Sequence, residues 1–125
     1  MKRKITHQSA KGKGRRLQKW VCEQVSWLTG FDWSSDGTDA PISSRPMGQP
    51  GTDIRMESQV IPLFPFSVEC KYQETWGIPG WIQQAKANQR KGTDWLLVIK
   101  RNRVEPVVVM DAVAFFKLLE KGKKK

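Results

Sequence analysis

Histidine and cysteine are nearly missing from this 125-residue chain, which has one of the first and two of the second. The single histidine, His7, cannot build a histidine metal site or complete a His–Cys nucleophile pair, and it reads as idle. Cys22 and Cys70 match no paired metal spacing and make no disulfide framework, so a reduced, cytoplasmic setting is expected. No stretch approaches the roughly 20 apolar residues of a membrane span. The basic opening MKRKITHQSAKGKGRR leads into no apolar run of the kind a secretory signal carries. Its KGKG has neither the spacing nor the flanking strand of a phosphate-binding loop. Internal repeats are missing too. Acids are scarce, 12 against 22 Lys and Arg, and the net charge is +10.

That excess sits at the two ends. Residues 1–20 carry eight Lys or Arg and no acid, and residues 117–125 carry five Lys with only Glu120 against them. The stretch between is slightly acidic. Basic ends around a near-neutral body suit a polyanion running past a more specific site, and nucleic acid is the expected partner. The bland alternative is a pair of solubilising tails. A membrane surface is disfavoured, because the basic arm has no apolar face before Leu17. The length allows one domain with a modest core. Residues 1–13 read as a flexible basic arm, 14–120 as a single domain and 121–125 as a basic tail.

Periodicity predicts a helix over 15–29, with Leu17, Val21, Val25 and Leu28 on one face and Gly30 as its C-cap. Trp20, Trp27 and Trp95 read as core. Strands are expected at 31–33, 52–56, 66–72, 95–100 and 104–110, with Pro106 marking the last as an edge. Residues 34–51, rich in Ser, Asp, Gly and Pro, read as a long loop. A second helix is expected over 79–91, and a third over 112–120, capped by Asp111 with Val113, Phe116 and Leu119 on its apolar face. The order is α-β-β-β-α-β-β-α, an α/β domain with a central mixed sheet flanked by helices.

The chemistry gathers on Asp53, Glu69 and Lys71. Side chains two apart on a strand share a face, so Glu69 and Lys71 point together and Cys70 points away into the core. A strand, a turn and a return fit between Asp53 and Glu69, so the two carboxylates can meet on neighbouring strands. Two acids held together repel unless a cation lies between them. Hard oxygen donors favour Mg2+, with Mn2+ as substitute, and the Cys70 carbonyl is a further candidate ligand. The same ion would bind a phosphodiester oxygen, while Lys71 orients the attacking water and adds positive charge beside the phosphate. The competing reading is a solvated surface cluster, since charged strand residues usually face water.

GTDI at 51–54, PFSVECKYQE at 65–74 and WIQQA at 81–85 resemble the PD-(D/E)XK nuclease superfamily. The small size and the KGKGRRLQ opening are similar to archaeal and phage Holliday-junction resolvases. The resemblance implies a restriction-endonuclease-like core, a homodimer, and magnesium-dependent cleavage of branched DNA. It implies Asp53 and Glu69 as metal ligands, Lys71 as the catalytic lysine and Gln84 near the metal or phosphate. The sequence departs from the family pattern in having Thr52 where a proline is usual. It departs again in the first helix, where a glutamate is expected and Gln18 is the positional match, with Glu23 the alternative on the same helix. The family's loop serine falls at Ser43 or Ser44, and Ser44 is included in the expected site.

Lys11, Lys13, Arg15, Arg16, Arg45, Arg55, Lys86, Arg90 and Lys91 are candidate phosphate contacts. Lys86, Arg90 and Lys91 would form a basic stripe on the second helix, or simply a solvated face. Trp76 and Trp81 either pack in a core or dimer surface or stack on bases. Three functions are therefore open. They are a junction resolvase, a phage nicking or single-strand and flap nuclease, and a nucleic-acid-binding protein that does not cut.

Overall fold

The computed structural model describes residues 7–35, 37, 39–46 and 48–123, with only the backbone described for 7–9. Residues 1–6 of the expected arm and 124–125 of the expected tail lie outside the described residues. The elements in chain order are α1 (His7–Thr29), β1 (Trp33–Ser34), β2 (Ile42–Ser44), β3 (Ile54–Met56), β4 (Phe66–Tyr72), α2 (Ile78–Ala87), β5 (Asp94–Lys100), β6 (Val107–Met110) and α3 (Ala112–Lys123).

Helix α1 follows from Leu17, Val21 and Val25, one turn apart and all buried, with Cys22 beside them. Gly30, at φ +81°, ends it as expected, returning its N–H to the Ser26 carbonyl at 2.8 Å. The helix starts at least eight residues before the expected position, so residues 7–13 are not a flexible arm. It runs through Gly12 and Gly14 because tertiary contacts hold that turn. Lys13 Nζ donates to Asn102 Oδ1 at 3.1 Å and lies 5.6 Å from the centre of the Tyr72 ring. Three further expectations fail here. Trp27 is 85% exposed, and Trp20 and Leu28 are exposed as well. Trp27 lies two residues from Val25, about 200° around the helix, so it points away from the core.

The expected single sheet is two three-stranded mixed sheets. In one, of order β1-β2-β3, β1 runs parallel to β2 (Trp33 opposite Ile42) and β2 antiparallel to β3 (Ile42 opposite Met56). In the other, of order β4-β5-β6, β4 runs parallel to β5 (Glu69 opposite Leu97) and β5 antiparallel to β6 (Leu97 opposite Val109). Strand β2 was not expected. It lies inside the Ser- and Pro-rich stretch read as loop, yet all three of its residues are buried. Its polar groups are satisfied locally, since Ser43 Oγ accepts from Arg55 Nε at 2.9 Å.

Strand β5 is buried on both faces, as its unbroken apolar run predicts. Leu96 and Val98 join Phe66, Val68 and α1 in one cluster. Trp95, Leu97 and Ile99 meet Ala85 of α2 in a second, with Trp76, Ile78, Trp81 and Ile82 packed against it. Trp95 is therefore core, and Trp76 and Trp81 pack there too. Pro79 opens α2 within its first turn, but the helix ends at Ala87, with Asn88 as C-cap. Arg90 and Lys91 fall in the following turn, so the expected basic stripe with Lys86 does not form.

Strand β6 begins only after Pro106 and lies at a sheet edge. Asp111 caps α3 as expected, accepting the Ala114 N–H at 2.9 Å through Oδ2. The apolar residues of α3 do not face the core: Val113, Phe116 and Leu119 are exposed. Among the described residues no helix is long and apolar enough to cross a membrane.

Candidate active site

The two sheets meet at Asp53, and the site lies on that seam. Asp53 N–H donates to the Val68 carbonyl at 3.0 Å, which places the start of β3 beside β4. One step further along β4, the Cys70 N–H donates to the Asp53 side chain instead, reaching Oδ2 at 2.7 Å. A carboxylate thus takes the place of a strand carbonyl where the backbone ladder stops. The N–H and C=O of one strand residue point to the same side. The Cys70 carbonyl therefore faces Asp53, while the Cys70 side chain packs into the α1 cluster as expected.

Glu69 projects from the opposite face of β4, toward the end of α2. Although ionisable, it is only 2% exposed. Asn88 Nδ2 donates to its Oε1 at 2.9 Å. Burial pushes the Glu69 carboxyl up to about 7, and the adjacent Asp53 charge adds to the rise. The Asn88 hydrogen bond and Lys71 oppose it. Asp53 is raised as well, chiefly by burial, against the pull of the Cys70 N–H, Lys71 and Arg45. The two carboxyl groups act on each other, and both are raised from their ordinary values. Lys71, two residues along the same face, holds its Nζ 5.9 Å from the Trp81 ring centre. Trp81 itself is half-buried against the cluster beneath α2.

These groups line one open cleft of about 450 Å3 between α1, the seam and α2. Asp53, Glu69, Cys70 and Lys71 contribute, and so do Gln18, Gln84, Lys11 and Arg45. Five segments far apart in sequence thus deliver their expected site residues to one place. Gln18 is 6% exposed and faces the cleft, whereas Glu23 is exposed and is not among the lining residues. Of the two, Gln18 is the one that lines the cleft. Ser44 does not line the cleft: it is fully buried in β2, opposite Ile54. Ser43 is equally buried and serves Arg55.

The expected phosphate contacts divide into two groups. Arg45 lines the cleft, anchored by its Nε to the Thr52 carbonyl at 2.5 Å. Gly51, at φ +110°, keeps its place because a Cβ there would stand 3.0 Å from the Arg45 guanidinium carbon. Lys11, Arg15, Arg16, Lys86 and Lys91 are exposed. Arg55 and Arg90 are committed to the fold. Arg55 bonds Ser43 and the Ala40 carbonyl, and Arg90 bonds the Met56 carbonyl at 2.7 Å. Lys13 is tied to Asn102 and Tyr72, as described above. Asn88 was not foreseen. It is brought to Glu69 by the early end of α2, nineteen residues on, and no local sign marked it, because it lies inside the helix expected over 79–91.

Among the described residues no group of three or more His, Cys, Asp or Glu side chains converges as a metal cluster. The donors at the seam are two carboxyl groups, the Cys70 carbonyl and the Gln18 amide. That set of hard oxygens fits Mg2+, which takes one or two carboxylates and completes its shell with water. Comparisons with protein-family models, with curated proteins and with solved structures return no match.

Proposed function

We propose that this protein is a magnesium-dependent endonuclease that hydrolyses DNA phosphodiester bonds, acting as a dimeric, structure-selective Holliday-junction resolvase. The observation that carries the hydrolytic part is the Asp53–Glu69 pair, with Glu69 buried and Asp53 half-buried. Two neighbouring acids beside Lys71, both raised by burial and lining one open cleft, form a site suited to a cation. The resemblance of GTDI and VECKY to the nuclease motif supports the same reading, and the basic ends supply attraction to a polyanion.

Asp53, Glu69 and the Cys70 carbonyl would hold the ion, with Gln18 as a neutral fourth donor. When bound, the ion supplies positive charge to a phosphate oxygen and acidifies a water molecule. The chain's own residues do the rest. Lys11 and Arg45 attract and align the backbone at the cleft wall. Lys71, steadied on Trp81, stands beside the phosphate, orients the attacking water and offsets the negative charge that grows during attack. Asn88 holds one oxygen of the Glu69 carboxyl, which would orient the group for the ion. The Gln84 amide hydrogen-bonds a phosphate oxygen from the α2 side. Cutting a four-way junction symmetrically takes two such sites, hence two copies.

The test is a panel of four-way junction, linear duplex and single-stranded DNA in Mg2+. Paired symmetric nicks near the crossover are the expected result. Cutting of single strands or flaps alone keeps the hydrolysis and overturns the junction specificity. Tight binding without cutting, in Mg2+ and Mn2+ alike, overturns the reading as an enzyme.

A further inference from the structure

A second cavity, of about 270 Å3, opens between α1 and the turn that joins β5 to β6. That is below the roughly 300–1,000 Å3 of drug-sized ligand sites, so it has room for one ring system. Tyr72, the last residue of β4, lines both this cavity and the cleft. Asn102 fixes the turn against α1 and β4. Its Oδ1 accepts from Lys13 Nζ at 3.1 Å and from the Tyr72 hydroxyl at 2.9 Å, and its N–H donates to Glu74 Oε2 at 2.9 Å. Lys100 Nζ donates to the Val104 carbonyl at 2.8 Å. The Lys13 and Lys100 ammonium groups also lie 5.6 and 5.3 Å from the Tyr72 ring centre, so that ring is taken. Trp20 is not. It stands one turn after Arg16 on α1 and is 42% exposed, and among the described residues no ring or ammonium covers it. Leu17 and Pro106 extend its apolar wall. Arg16 and Lys100 are the cations of the lining, and Glu105 is the acid. Among the described residues no cation or N–H donor holds the Glu105 carboxylate.

We propose that this cavity is a nucleobase pocket that takes an unstacked guanine from the bound strand, a reading that rests on the nucleic-acid part of the proposed function and not on cleavage. An indole with an open face and apolar neighbours is what a base needs once it leaves its own stack. Arg16 and Lys100, with Arg101 and Arg103 exposed on the turn, supply positive charge for the phosphates on either side of such a base. Glu105 selects which base. An ionised carboxylate only accepts, and it can accept two N–H bonds side by side. Guanine alone among the DNA bases offers two adjacent N–H donors on its pairing edge. Adenine and cytosine set one donor beside an acceptor, and thymine sets one between two acceptors, which the carboxylate repels. Because Tyr72 borders both cavities, a strand leaving the cleft past the end of β4 reaches this pocket.

Fluorescence anisotropy on the full chain in EDTA tests it, with a labelled short oligothymidine and the same strand carrying one central guanine. The guanine should tighten binding by roughly tenfold. Glu105→Gln, at an exposed position, should erase that preference without weakening binding of the thymidine strand. Trp20→Ala should weaken binding of both strands by roughly tenfold with unchanged circular dichroism, because stacking is tolerant of sequence. Trp27→Ala, elsewhere on the exposed side of α1, should change neither. Equal affinity of the wild type for the two strands overturns the proposal, and so does a guanine preference that survives Glu105→Gln. A strand with adenine in place of the guanine that binds as tightly overturns it too. GMP that competes at lower concentration than the guanine strand overturns the strand as the source of the base. Failure of both strands to bind overturns the pocket together with the nucleic-acid reading. No cutting occurs in EDTA on the proposed mechanism, so the pocket and the hydrolytic centre are tested separately.

Discussion

The raised carboxyl groups of Asp53 and Glu69 make stability depend on pH, and the proposed magnesium site would link that dependence to the metal. In the folded chain the Glu69 carboxyl titrates at about 7 against an ordinary value of 4.5. A carboxyl raised on folding contributes stability that is full below pH 4.5, declines between 4.5 and 7, and is gone above 7. The full difference corresponds to about 3 kcal/mol, at ~1.4 kcal/mol per pH unit. The cleft admits water, which screens the repulsion, so roughly 1–2 kcal/mol is the expected size. For a chain of this length that is a fall in Tm of roughly 3–10 °C from pH 5 to pH 8 in EDTA. On the proposed reading Mg2+ would offset the repulsion between the two acids, so it should restore most of the loss at pH 8 and add little at pH 5. Glu69→Gln removes one of the repelling charges and keeps an acceptor for Asn88. It should flatten the pH response and the magnesium response together. Scanning calorimetry on both proteins at several pH values, with and without Mg2+, reads this directly. Parallel Tm curves for wild type and Glu69→Gln would refute the reasoning.

Other consequences are simpler to state. Lys71→Ala should slow cleavage by about 100- to 1,000-fold, the usual loss for a group that stabilises developing charge, and barely change junction affinity in a gel-shift assay. Removing residues 1–6, with Lys2, Arg3 and Lys4, should lower the slope of log K against log salt by about 2–3. An unchanged slope would show that these bases do not meet the phosphates. Leu97→Ala, fully buried between α2 and the sheet, should cost about 2–5 kcal/mol in urea unfolding. Trp27→Ser should cost within about 0.5 kcal/mol, because that ring faces water.

Elements with strong local periodicity were readable before any coordinates. The alternation in FSVECKY places Glu69 and Lys71 on one face and Cys70 on the other, and the apolar run WLLVIK marks β5 as doubly buried. The Asp111 cap and the Gly30 stop follow from chemistry within one turn. Long-range contacts decided what local pattern could not. Strand β2 carries Ile-Ser-Ser, a sequence with little strand signal, and forms because β1 and β3 flank it and Arg55 satisfies Ser43. Gly12 and Gly14 argued for a break in α1, but Lys13 is held by Asn102, 89 residues away. Trp27 misled because aromatic side chains normally seek the core, and the helical angle sends this one outward. In the site, the residues fixed by strand geometry converge as expected. Asn88 could not be read, because its partner lies on another element. Neither candidate serine lines the cleft, because β2 buries both.

The central claim is that Asp53 and Glu69 are the hydrolytic centre. It is tested most directly by incubating a labelled four-way junction with wild type, Asp53→Asn and Glu69→Gln, in Mg2+ and in EDTA. The account predicts cutting by wild type in Mg2+ alone, and none by either variant, while all three bind the junction with similar affinity. Cutting that persists in both variants, or that is indifferent to EDTA, would contradict it.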